Sequence, residues 1–130
     1  PGEDDESFDR TRTFLRNAPI DYFHVFSYSI RPGTPAARMK DQVAPQKKKS
    51  RSASLIRIGR EKRKRFMISQ VGKRCLLLMQ GKKARYSRYH TGMTGNYCEV
   101  QVQCGGECEG KLREAKITRY GRGRLYGELV

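Results

Sequence analysis

Nowhere does the chain string together about eighteen apolar side chains, and no amphipathic anchor is evident, so neither a spanning nor a membrane-surface helix is expected. No signal peptide opens the sequence, which makes a cytoplasmic address the expectation. Histidine is confined to His24 and His90, and no Ser/His/Asp or Cys/His nucleophile arrangement is legible. Catalysis by this stretch alone is therefore not expected. Acidic residues are scarce as well: 13 Asp and Glu stand against 28 Lys and Arg, for a formal net charge of +15. With 130 residues and 36% hydrophobic content, there is room for one domain, or one small domain plus a piece of another.

What is present is a cationic surplus with an uneven distribution. Glu3, Asp4, Asp5, Glu6 and Asp9 crowd the first ten residues, so the surplus lies downstream, densest over 38–88. Such an excess needs a polyanionic partner, with nucleic acid the first candidate and an anionic membrane surface the second.

Taken in order, residues 7–17 place Phe8, Phe14 and Leu15 at helical spacing behind an acidic first turn. Asn17-Ala18-Pro19 ends that helix, and a buried strand is expected over 20–28. Arg31-Pro32-Gly33-Thr34 then forms a cationic turn. Helix followed by strand is the closing portion of an α/β alternation. Pro45 suits the first turn of a long basic helix over 46–70, with a weak point at Gly59. Beyond Val71 the texture changes to short alternating strands punctuated by glycine, expected at 73–80, 84–90, 97–103, 111–119 and 124–130. Five short strands in about 60 residues predict a small antiparallel barrel of the oligonucleotide-binding kind.

Two clusters on that barrel interleave cations with aromatics. In Lys82-Lys83-Ala84-Arg85-Tyr86-Ser87-Arg88-Tyr89-His90, alternation puts Tyr86, Arg88 and His90 on one face and Arg85, Ser87 and Tyr89 on the other. Arg119-Tyr120-Gly121-Arg122-Gly123-Arg124 repeats the chemistry in a glycine-rich turn, where backbone N–H groups can approach phosphate. Tyrosine beside arginine offers base stacking together with phosphate contact. A solvated hairpin or an amphipathic core tyrosine would look similar one cluster at a time; RNA binding explains both together.

A sharper signal is His24-Val25-Phe26-Ser27-Tyr28-Ser29-Ile30-Arg31-Pro32-Gly33-Thr34-Pro35-Ala36-Ala37-Arg38-Met39-Lys40-Asp41-Gln42-Val43. It resembles the last-strand motif of the radical-SAM methylthiotransferases, HVFxYSxRxGTxAAxMxxQV, most nearly in the branch that modifies threonylcarbamoyladenosine in tRNA. Pro1-Gly2-Glu3 resembles the tail of that family's GFPGE segment, and the glycines and Tyr97 of residues 72–130 resemble its TRAM domain. The resemblance implies an α+β fragment. Residues 1–68 would be the closing strand and helices of an α/β radical-SAM barrel with a basic linker helix, and 69–130 an RNA-binding TRAM barrel. It also implies that the chain starts inside the first barrel, without what precedes it. The full-length family enzyme uses S-adenosylmethionine and two 4Fe-4S clusters to methylthiolate an adenosine beside the anticodon, so tRNA, through its anticodon arm, is the implied partner. By the same resemblance, Tyr28, Ser29, Arg31, Gly33 and Thr34 sit at the substrate-facing barrel mouth. Arg31 could equally cap its own loop through a carboxylate. The candidate RNA-contacting residues are Lys82, Lys83, Arg85, Tyr86, Arg88, Tyr89, His90, Tyr97, Arg119, Tyr120, Arg122 and Arg124.

No cofactor is expected on this stretch itself. Cys104-Gly105-Gly106-Glu107-Cys108 is a C-x3-C, but a radical-SAM cluster needs C-x3-C-x2-C and the third position is Lys111. Zinc would need two more ligands, with only Cys98 near and His90 conceivable. A loop disulfide and a zinc site remain open beside the favoured reading of thiols without a partner. Two other functional classes compete. A stand-alone RNA-binding module would explain the absent catalytic set but not the acidic start or the orphan strand. A basic ribosome-associated structural protein would carry its charge in disordered tails, whereas much of it here lies on expected helix and strand.

Overall fold

Acidic side chains at its head and a proline beyond its tail delimit the first element, α1 (Asp5–Asn17). The Asp4 carboxylate caps it by accepting the Ser7 N–H at 2.7 Å, and Asp5 and Glu6 follow where the helix dipole is positive. A four-residue helix, α2 (Pro35–Arg38), is capped by Thr34, and α3 (Pro45–Ser69) runs 25 residues. Gly59 does not interrupt α3; it makes room for Phe23, whose ring would stand 3.4 Å from an added Cβ. The structure, a computed structural model, describes residues 1–83 (backbone alone at 81–83), 89–105 and 108–130. They form two compact units, Pro1–Arg63 and Lys64–Val130. No helix among the described residues is long and apolar enough to cross a membrane.

In the first unit, the strand expected over 20–28 does not form: the segment is extended but joins no sheet, and Phe26 is 86% exposed. A strand needs a partner's N–H and C=O groups, and its neighbour here is a helix. Side chains of α3 serve instead. Lys62 Nζ donates to the Ala18 and Ile20 carbonyls at 2.8 and 3.2 Å, Ser52 bonds Ser27 at 2.6 Å, and Lys48 Nζ donates to the Tyr28 carbonyl at 3.2 Å. The contacts run 62, 59, 52, 48 as the segment runs 18 to 28, so the segment lies antiparallel to α3.

The acidic start is anchored in the same way. Arg51, with only 8% of its side chain exposed, donates from Nη1 to the Glu3 carbonyl and carboxylate at 2.8 and 2.9 Å and from Nη2 to Asp5 at 2.8 Å. Lys47 meets the other Asp5 oxygen at 2.9 Å. The Arg51 guanidinium also lies 5.0 Å from the centroid of Phe8, a buried residue of α1. Hydrogen bonds from Lys47 and Arg51 hold the Asp5 carboxyl below its ordinary range, and the Ser7 N–H does the same for Asp4.

The second unit is a closed barrel of five strands, β1 (Arg74–Lys83), β2 (Tyr89–Thr94), β3 (Glu99–Gln103), β4 (Leu112–Gly121) and β5 (Arg124–Leu129), in the order β1-β2-β3-β5-β4. Glycine punctuation and alternation located four of these strands to within a few residues; the strand expected over 84–90 meets β2 only at Tyr89 and His90, its remainder lying outside the described residues. The all-antiparallel expectation needs one correction: β3 and β5 pair parallel. A ring with an odd number of strands cannot alternate direction all the way round, so closure forces at least one parallel contact. Alternation fills the interior with Leu77, Met79, Val100, Val102, Ile117 and Leu125, joined by Met67 from the end of α3. Gly127 is the tight point, because an added Cβ would stand 2.8 Å from the Lys116 carbonyl oxygen and 3.1 Å from Val100.

Gly127→Ala should therefore destabilise the barrel by about 1–3 kcal/mol, as overpacking against backbone does; urea unfolding checks this, and an unchanged midpoint would show that the seam can relax. In the first unit the Asp4 and Asp5 carboxyl pKa values are depressed on folding. The associated stability is present above the unfolded value of about 3.9 and is lost as pH falls below it. Acid titration by circular dichroism should show this loss, and Asp5→Asn should flatten it.

Candidate nucleic-acid interface

The turn joining β4 to β5 has only Arg122 and Gly123 between its strands, with φ of 52° and 76°. Positive φ at both central residues is the type I′ hairpin, whose twist matches that of the strands. Glycine adopts that region freely, whereas arginine at the first position is held there against its preference. The turn thereby presents Arg122 and Arg124 to solvent at the barrel's edge.

Behind the turn, the β4–β5 register slips between Ile117 and Arg119: Ile117 pairs with Gly127, and Arg119 pairs with Tyr126. Thr118 is the extra residue of this bulge, and its Oγ1 donates to the Tyr126 carbonyl at 3.3 Å. The slip brings Arg119 and Tyr126 to one face, with the guanidinium carbon 3.6 Å from the Tyr126 ring centroid. Gly121, two residues on, leaves room for it, since an added Cβ would stand 3.1 Å from Arg119 Nη1. Tyr89 meets the same ring edge-on, at 5.5 Å and 76°. In register with Tyr126 on β3 is Gln101, buried at 4% exposure, whose Nε2 donates to Thr91 Oγ1 at 2.9 Å. A satisfied polar group thus underlies the aromatic platform. Tyr89, Gln103, Arg119, Tyr126 and Glu128 line a groove of about 410 Å³ on this face.

Of the residues proposed from sequence, Tyr89 and Arg119 both line this groove, and Arg122 and Arg124 are exposed at the hairpin end without lining it. Tyr120 is half-buried against the core, in register with Leu125. His90 pairs in register with Val102, and its Nδ1 is buried without a hydrogen-bond partner among the described residues. Tyr97, 84% exposed with φ of 61°, occupies the β2–β3 turn. Arg85, Tyr86 and Arg88, and the side chains of Lys82 and Lys83, lie outside the described residues. Sequence reasoning missed Tyr126, Gln103 and Glu128. Outward alternation from Leu125 and Gly127 carried the signal for Tyr126 and Glu128, but the bulge that gives them Arg119 left none.

The residues expected at the first barrel's mouth lie in the other unit. Tyr28 is half-buried, with a hydroxyl that has no partner among the described residues, beside a cavity of about 350 Å³ lined also by Phe8, Val25, Arg51 and Leu55. Ser29 and Arg31 are exposed, and Arg31 makes no ion pair among the described residues. The Arg31 carbonyl accepts the Thr34 hydroxyl at 2.8 Å, and Gly33 turns the chain with φ of 84°. Cys104 and Cys108 correct the thiol reading: they form a disulfide, their Cα atoms brought to 6.7 Å between β3 and β4. Burial and the neighbouring Cys98 push the Cys75 thiol up. Among the described residues no group of three or more His, Cys, Asp or Glu could hold a metal ion.

No family model matches the chain. Whole proteins do. The tRNA-2-methylthio-N(6)-dimethylallyladenosine synthase of Opitutus terrae is 34% identical over 133 residues, covering all of this chain and 27% of the relative. The synthase of that name from Pelotomaculum thermopropionicum is 40% identical over 118 residues, covering 91% of this chain and 26% of the relative. The threonylcarbamoyladenosine tRNA methylthiotransferase of Bacillus subtilis is 33% identical over 133 residues, covering all of this chain and 29% of the relative. The chain thus spans just over a quarter of the length of these relatives.

Arg122→Gly should raise barrel stability by about 1 kcal/mol, because glycine occupies the left-handed region without strain. Urea unfolding measures it; a loss of stability would mean that the arginine side chain itself holds the turn.

Proposed function

Because the chain belongs to the radical-SAM tRNA methylthiotransferase family, we propose that it is the C-terminal part of such an enzyme and that its barrel is the TRAM domain, of oligonucleotide-binding type, gripping the anticodon arm. The observation that carries this is the match to tRNA-modifying enzymes along the whole chain. The cationic excess and the arginine–tyrosine face of the barrel support it physically. The proposed reaction of the whole protein is methylthiolation of a modified adenosine next to the anticodon. Relatives named for dimethylallyladenosine and for threonylcarbamoyladenosine match at similar identity, so overall similarity does not choose between those nucleosides.

In this reading, S-adenosylmethionine and two 4Fe-4S clusters supply the sulfur-insertion chemistry from the missing portions of the enzyme, which are also this chain's structural partners. The described residues do not fit a cluster: among them no group of three or more Cys, His, Asp or Glu side chains could hold a metal ion. Residues 1–68 would contribute the end of the catalytic barrel, with Tyr28, Ser29, Arg31, Gly33 and Thr34 toward the substrate. Residues 69–130 would contribute the RNA grip through the candidate basic and aromatic side chains. The setting is the cytoplasm, where tRNA is the polyanion at hand.

Titration of this chain with a tRNA anticodon stem–loop and an unrelated hairpin of equal length tests the reading. Binding should favour the anticodon arm and weaken with salt, with a slope of about −0.7 per phosphate neutralised on single-stranded segments. Equal binding to both hairpins would leave a general RNA module, and no binding to either would overturn the proposal.

A further inference from the structure

The groove beside Tyr126 has a composition that phosphate binding alone does not account for. A surface that only follows an RNA backbone needs cations and N–H donors. Here a carboxylate, Glu128, and an amide, Gln103, share the groove with Arg119, Tyr89 and Tyr126. Tyrosine hydroxyls and the Gln103 amide can donate to phosphate oxygens, but the Glu128 carboxylate repels phosphate and has no part in such a contact. All five suit a nucleobase, which has flat faces for tyrosine and guanidinium and an edge of donors and acceptors. Neither Gln103 nor Glu128 is engaged through its side chain among the described residues, although Lys116 lies opposite Glu128 in the β4–β5 register. Both can therefore serve a ligand without breaking an existing bond.

Resting on the RNA-binding reading above, we propose that this groove holds one unpaired RNA base and prefers guanine. At about 410 Å³ it falls at the small end of ligand pockets, which run from about 300 to 1,000 Å³, and so suits a single base. Its stacking group is in place beforehand, because Arg119 already lies 3.6 Å from the Tyr126 ring centroid and less ordering is needed on binding. Base preference follows from Glu128, whose ionised carboxylate is acceptor-only. Guanine presents two adjacent donors on one edge, N1–H and its amino group. Adenine, cytosine and uracil each place an acceptor next to the donor on that edge, which a carboxylate repels.

The test titrates the intact chain with four single-stranded RNA pentamers of the form UUNUU, differing in the central base. UUGUU should bind severalfold more tightly than the other three. Tyr126→Ala should weaken UUGUU binding roughly 5- to 150-fold, the loss of one stacked base, without changing the salt slope, because no cation is removed; Tyr126→Phe should retain the affinity. Glu128→Gln should abolish the guanine preference by weakening UUGUU while UUUUU, relieved of the carboxylate, binds no more weakly than to the wild-type chain, and this exposed position decides the matter if Tyr126→Ala fails to fold. Equal binding of all four pentamers by the wild-type chain, or a guanine preference that survives Glu128→Gln, would overturn the guanine site. Either result would do so even where the anticodon arm binds tightly. Failure to bind any pentamer and the anticodon arm alike would instead overturn the RNA-binding reading beneath it.

Discussion

The parallel contact between β3 and β5 is the constraint on which the barrel and its outer face depend. Closing five strands requires one such contact, and it sets β5 between β3 and β4 although β4 precedes it in the chain. Gly127 lets β5 settle there, against Lys116 of β4 and Val100 of β3. Alternation then points Tyr126 outward beside Gln101, and the bulge at Thr118 turns Arg119 onto the same face. A bulkier seam would move the platform along with the closure.

Much of the barrel was legible because glycines and two-residue alternation are local signals that need no partner to be read. The helix over 46–70 was legible for the same reason, since Pro45 opens it and no proline follows. Less legible was whatever depended on a distant partner. Residues 20–28 have the composition of a buried strand, but a strand exists only where another backbone meets it. Nor does anything in the local pattern distinguish Lys48 and Lys62, which donate to carbonyl oxygens of that segment, from the lysines around them. The candidate site divides in the same way: Tyr89 and Arg119 stood out as a cation–aromatic pattern, while Tyr126 was passed over because its arginine arrives through a register shift.

The cations of α3 also qualify the formal charge. Arg51 and Lys47 are matched by Glu3 and Asp5, and Lys48 and Lys62 are engaged with backbone oxygens. The carboxylates beside Arg51 and Lys47 reduce the field that a polyanion meets there, whereas Lys48 and Lys62 keep their full charge but are tethered to the backbone. On the barrel, Arg122 and Arg124 are exposed and without ion pairs among the described residues.

Met67 packs into the barrel core, with Phe66 against it, although both belong to α3 by secondary structure. The helix end is in effect the plug of the barrel. Cutting the chain where helix gives way to strand would remove that plug and open one end of the interior to water. An excised barrel that is to stay soluble must begin upstream of Phe66, at the compact-unit boundary near Lys64 rather than at β1.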